Sequence, residues 1–181
     1  MAIADVIKQK SYERIEYVLH RHAFTFIPII ILFIVLASIP VLVYLLINNL
    51  FPDAINGPVG YPLFVLLGSI YYLSMYLFFY AQFVEFYLDL WIVTNDRIVD
   101  IEQLGLFSRT ITELDLFRIQ DVTTDVKGLF PTIFHYGNVI IKTASSNTHI
   151  VFSNVPSPNH VREKLIQLSH EDRKFHTGGL D

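Results

Sequence analysis

Two long stretches without a charged residue govern what this chain can fold into. From His22 the next acidic, basic or histidine residue is Asp53, and from Asp53 it is Glu85. Each gap exceeds the roughly 20 residues that a helix needs to cross the hydrocarbon core of a bilayer. A surface helix of a water-soluble domain shows a polar face at every turn, and neither stretch has one. The first span is placed at Phe26 to Ile47, where 17 of 22 residues are Leu, Ile, Val or Phe; such a helix is about 33 Å long. Pro40 is expected to kink it, because a proline inside a helix removes a backbone donor. The run is too long, and the mixed segment before it too polar, for a cleaved signal. The second span is placed at Pro62 to Phe83. It carries Tyr71, Tyr72 and Tyr76 near its middle, where a hydroxyl in lipid needs a partner on the first helix or on a neighbouring copy.

The link from Asn48 to Tyr61 has no Lys or Arg, whereas Lys8, Lys10, Arg14 and Arg21 precede the spans and nine basic residues, from Arg97 to Lys174, follow them. The positive-inside rule then puts both termini in the cytoplasm and the link outside. The expected organisation is a cytoplasmic N-terminal segment at 1–22 and a membrane region at 23–85 with helices at about 26–47 and 62–83. A cytoplasmic domain at 86–170 and a flexible tail at 171–181 follow. Ile3, Ile7, Ile15, Val18 and Leu19 recur at helical spacing, which leaves two readings of the first segment: a helix lying in the membrane plane, or a piece docked on the cytoplasmic domain.

After Phe83 the periodicity changes from helical to alternating, with turn residues every eight to twelve positions, the pattern of a small antiparallel β domain. Leu88, Leu90 and Ile92 alternate with Tyr87, Asp89 and Trp91, and Thr94-Asn95-Asp96-Arg97 turns the chain into a hairpin that resumes at Val99 and Ile101. Asn95-Asp96 suits a turn needing positive φ. Further strands are expected at 107–113, 119–127, 139–143 and 150–152. A helix capped by Ser157 then runs to about Ser169, with Val161, Leu165 and Leu168 on one face.

Four segments carry a family resemblance: Ile92-Val93-Thr94-Asn95-Asp96-Arg97-Ile98, Gly105-Leu106-Phe107-Ser108-Arg109, Leu116-Phe117-Arg118-Ile119-Gln120-Asp121-Val122 and Phe134-His135-Tyr136-Gly137-Asn138-Val139. With Arg21-His22 ahead of two spans, the chain resembles the bacterial PH-like membrane-protein family, the YdbS-like or DUF304 group, over nearly its whole length. The resemblance implies a membrane α plus small β fold: a two-helix transmembrane hairpin followed by a PH-like β-barrel capped by a C-terminal α-helix. It implies no reaction. Pro131 and His135 depart from the family pattern. Asn95, Asp96, Gly105, Ile119, Val122 and Gly137 have structural explanations as turn, barrel-interior and close-approach positions.

The remaining chemistry is sparse. With 13 Lys+Arg against 17 Asp+Glu the net charge is −4, which gives no support to bulk nucleic-acid binding. There is no cysteine, and the seven histidines fall at 20, 22, 135, 149, 160, 170 and 176, without a helical pair suited to zinc. Glu85 and Asp89 lie four apart, a spacing open to acid/base work but better suited to marking the exit from the second span. No phosphate loop, nucleophile elbow or dinucleotide fingerprint is present. No enzyme activity, cofactor, metal or small-molecule substrate is therefore expected. The expected role is a PH-like interaction module anchored by two spans in the bacterial cytoplasmic membrane. It would bind a protein partner or itself within a membrane complex. The alternative is a sensor of anionic lipid headgroups, for which Lys8, Lys10, Arg14, Arg21, Arg97 and Arg109 are the candidate contacts.

Overall fold

A computed structural model describes residues 9–10, 12–53, 57–143 and 149–177. It divides into two compact units, one of Phe26–Val84 and one that joins Met1–Thr25 to Glu85–Asp181.

In the helical unit, a 3-10 turn at Ala23–Phe26 leads into α1 (Ile27–Leu50), and α2 spans Gly60–Leu88. Both are long and apolar enough to cross a membrane. Phe33 packs on Phe79 and Tyr44 on Phe64 between them, but many of their large apolar side chains are exposed, Leu42 to 60% and Leu73 to 72%. Pro40 lies inside α1, so the Leu36 carbonyl loses the helical N–H that would have reached it. Tyr71 of α2 replaces that donor, its hydroxyl donating to Leu36 O at 2.9 Å, and Tyr72 donates to the next carbonyl, Ala37 O, at 3.0 Å. The proline and the two mid-helix tyrosines thus explain one another.

The second unit contains two antiparallel sheets. In the first, β1 (Ile15–His20), β2 (Leu90–Thr94), β3 (Arg97–Leu104) and β4 (Ser108–Asp115) lie in that order. A 3-10 turn at Leu116–Arg118 then starts the second sheet, where β5 (Ile119–Asp125), β6 (Tyr136–Thr143) and β7 (His149–Pro156) are neighbours in sequence order. A short helix, α3 (Leu129–Phe134), sits between β5 and β6, and α4 (Pro158–Thr177) ends the described chain.

The expected barrel is not formed. Among the described residues no ladder joins β4 to β5 or β7 to β1, so the sheets are open and separate. Between β4 and β5 the chain makes the 3-10 turn, where Leu116, fully buried, joins the core while its N–H still donates to Asp96 O at 3.0 Å. His22 N–H does donate to Asn154 O at 2.8 Å, a backbone bond from just beyond the end of β1 to a residue within β7. Closure is achieved by side chains instead. Val93, Ile98 and Leu114 of the first sheet share one core with Val122, Val139, Ile141 and Phe152 of the second, and Val161 and Leu165 of α4 seal it.

The N-terminal segment, for which the sequence left two readings, forms strand β1 and pairs with β2, Leu19 opposite Trp91. A bulge between Ile15 and Tyr17 shifts the register. Tyr17 and Leu19 pack on the main core, while Ile15 packs on a smaller cluster of Ile92, Val99 and Ile101. The final helix continues through 170–177; Arg173 donates to the carbonyls of Phe117 and Ile119.

Candidate functional site

The β2–β3 turn is the charged hub of this unit. Thr94 is buried, and its hydroxyl accepts the N–H groups of Asp96 and Arg97 while donating to Arg97 O. That tight local bonding shapes the turn, and neither Asn95 nor Asp96 has the positive φ their sequence suggested; the described non-glycine residues that do are His135, Asn154 and Ser157. Asn95 and Asp96 reach back to the N-terminal segment. Arg14 N–H donates to Asn95 Oδ1 at 2.7 Å, Asn95 N–H donates to Arg14 O at 3.1 Å, and Lys10 Nζ pairs with Asp96 Oδ2 at 2.6 Å. The hydrogen bonds to Asp96 and then Tyr12 push the Lys10 amine up to about 12.

Arg97 lies beneath the turn with a buried side chain. Its Nε and Nη2 donate to the two oxygens of Glu13 at 3.0 and 3.1 Å, and Nη1 donates to Glu113 at 2.5 Å. Burial alone would raise the Glu13 carboxyl, but Arg97, the Lys10 N–H and Thr94 outweigh it and hold it below the usual carboxylate range. Cross-strand spacing offers Asp100, Glu102 or Glu113 as partners for Arg97 and Arg109; Arg97 takes Glu113, while Glu13, 84 residues away, is beyond the reach of such spacing.

The carboxylates of Glu85 and Asp89 clamp the β3–β4 hairpin. Glu85 accepts Gly105 N–H at 2.8 Å and Asp89 accepts Gln103 N–H at 2.7 Å. Gly105 has φ +68, the left-handed conformation that glycine adopts without strain. Arg21 pairs with Asp89 at 2.5 Å, and the two line a polar pocket of about 250 Å³ with Trp91, Asp100, Glu102 and Ser153. Burial, then Glu102 and Asp89, push the Asp100 carboxyl up to about 6.

Lys8 lies outside the described residues. Lys10, Arg21 and Arg97 are in ion pairs, whereas Arg14 and Arg109 are exposed. Ile119 and Val122 are buried in the shared core. Gly137 is a close-approach position: a Cβ there would lie 2.8 Å from Val126 Cγ2 and 2.9 Å from Asp125 O. His22 stacks on Tyr136 with ring centroids 5.1 Å apart. Among the described residues no group of three or more His, Asp or Glu side chains is placed to hold a metal ion.

Two antiparallel sheets sharing one core, sealed by a C-terminal helix, make a PH-like fold. The bacterial PH domain pattern matches residues 23–169, a range that includes both apolar helices, and the chain belongs to that family. Among solved structures it is similar to the crystal structure of a DUF1696 family protein with a pleckstrin-homology domain from Shewanella loihica PV-4. The identity is 13%, 45% of this chain and 70% of that one are covered, and the TM-score is 0.37. No curated protein matches the chain.

Proposed function

We propose that this protein is a PH-like interaction module anchored by two spans at the cytoplasmic face of a bacterial inner membrane, working by protein contact, with headgroup binding a minor contribution. The observation that carries the reading is where the basic side chains go. Lys10, Arg21 and Arg97 are matched to Asp96, Asp89 and the pair Glu13 and Glu113, which leaves Arg14 and Arg109 exposed among the described candidates, fewer than the cluster of about four or more cations that an anionic surface needs. The outer edge of β4 is instead open, and its residues from Ser108 to Ile111 are exposed. Such an edge accepts an added strand from a partner.

Anchoring is supported by the exposed apolar surface of α1 and α2 and by the β1–β2 pairing. Those strands flank the helices in sequence and lie in one sheet, which requires an even number of crossings, as two spans provide. The lysine- and arginine-free link favours the orientation with both termini inside. A photo-crosslinking residue at Thr110, introduced in the full chain in native membranes, should yield a discrete protein adduct absent when it stands at Glu163. Adducts to lipid alone refute the reading. So does tight binding of glycerophosphoglycerol to the detergent-solubilised chain at physiological salt, if Arg14→Ala or Arg109→Ala abolishes it; that result promotes the headgroup sensor.

A further inference from the structure

Two apolar protrusions on the module remain unexplained by contact with a protein edge strand. At the tip of the β3–β4 hairpin, Phe107 is 99% exposed and follows the half-buried Leu106. On α3, Leu129, Phe130, Ile133 and Phe134 are all exposed, Leu129 to 71%. Neither protrusion is loose. The hairpin is pinned through Gly105 N–H to Glu85 and through Gln103 N–H to Asp89, and α3 is pinned to Phe24, which stacks on Phe134 at 4.1 Å and meets Phe130 at 5.6 Å.

The anchors decide what covers these side chains. Glu85 begins the module immediately after Val84, and Phe24 stands two residues before Phe26, where the other connection to the helical unit is made. Each protrusion is therefore held against one of the two points at which the chain passes between module and apolar helix. If the helices span, both points are at the bilayer surface by covalent connection alone. The flanking residues suit that position: the exposed Arg109 follows Phe107 by two residues, and Lys127, 83% exposed though paired with Asp125 at 2.8 Å, precedes Leu129 by two. Aromatic side chains beside a cation favour the boundary between acyl chains and headgroups.

We infer that the hairpin tip at Leu106-Phe107 and the apolar face of α3 insert into the cytoplasmic leaflet and seat the module on the membrane in one orientation. This rests on the two-span anchoring proposed above.

The chain has no cysteine, so single cysteines can carry an environment-sensitive fluorophore without background. Four full-length variants, Leu73→Cys, Phe107→Cys, Phe130→Cys and Glu163→Cys, would be reconstituted in bilayers containing nitroxide-labelled lipids. The expected result is strong quenching and blue-shifted emission at 73, 107 and 130, with 163 unquenched. Quenching at 73 with water-like emission at 107 and 130 overturns the seat and leaves the anchoring intact. No quenching at 73 overturns the anchoring and the seat with it. Quenching at 163 equal to that at 107 overturns the single orientation. A nitroxide at the same sites, read by its accessibility to oxygen and to a water-soluble relaxant, separates insertion of the protein from insertion of the fluorophore.

Discussion

Glu13→Ala is expected to destabilise the module by about 3 kcal/mol. The Glu13 side chain has no exposed surface, and both its oxygens receive guanidinium bonds from Arg97. Removing one member of a buried ion pair costs about 3 to 5 kcal/mol, because the other charge is left without compensation. Arg97 would keep Glu113 at 2.5 Å, on a side chain that is 49% exposed, so the low end of that range applies. The single tryptophan provides the assay. Trp91 is 3% exposed and packs on Phe152 with ring centroids 5.3 Å apart, so its emission reports unfolding of the module even in detergent micelles where the helices stay intact. With a urea slope of about 1 to 3 kcal/mol per molar, the midpoint should fall by about 1 to 3 M. Adding Arg97→Met, which removes the stranded cation, should recover much of the loss. The pH dependence has a defined sign. Glu13 titrates below the usual range when folded, so its contribution is present above about pH 4.3 and is lost as pH falls through the folded value; the gap between wild type and variant should close in acid. A variant within about 1 kcal/mol of wild type at pH 7, or one not helped by Arg97→Met, would refute the reasoning.

Tyr71→Phe should weaken the helix pair by about 0.5 to 1.5 kcal/mol, measured as lost resistance to unfolding in mixed micelles. In a Pro40→Ala background the effect should shrink, because alanine restores the N–H for Leu36 O; equal effects in both backgrounds would rule out the compensation. Asp100 titrates higher folded than unfolded, so its contribution is most favourable below about pH 3.9 and is lost as pH rises through about 6. Asp100→Asn should accordingly stabilise the module by about 1 to 2 kcal/mol at pH 7.5, allowing for solvent screening, and by nothing at pH 4. A Trp91-monitored melt showing the same increment at both values would contradict this.

The parts of the fold legible in the sequence are those governed by local pattern. The two apolar helices announce themselves by lacking charge, and the β2–β3 hairpin by alternation around Thr94 to Arg97. Strand β1 was hidden because its bulge at Ile15/Tyr17 breaks the two-residue period and because its residues pack on two different clusters. The barrel failed for a related reason: alternation says which side chains turn inward, but whether β4 and β5 share a ladder depends on a 3-10 turn whose own sequence, Leu116-Phe117-Arg118, reads equally well as strand. At the candidate site, Glu85 and Asp89 stand four apart as a visible pair, yet their partners are backbone N–H groups of Gly105 and Gln103, which leave no mark in a sequence. Asn95 and Asp96 look like turn residues and are; that they also fasten the N-terminal segment follows only from the long-range pairing.

The interruption of the first sheet by the helical unit has a bearing on how such a chain is made. β1 leaves the ribosome first and must wait through both apolar helices for β2, since Leu19 pairs with Trp91. In a membrane-spanning chain, the two strands can meet only if both helices have been delivered to the bilayer. A chain in which the second helix failed to insert would strand β1 and β2 on opposite sides. Val93, 1% exposed in the finished module, would then stay uncovered and open to the proteases that clear misassembled membrane proteins. In such a chain, completion of this one strand pair would make folding of the module conditional on delivery of both helices.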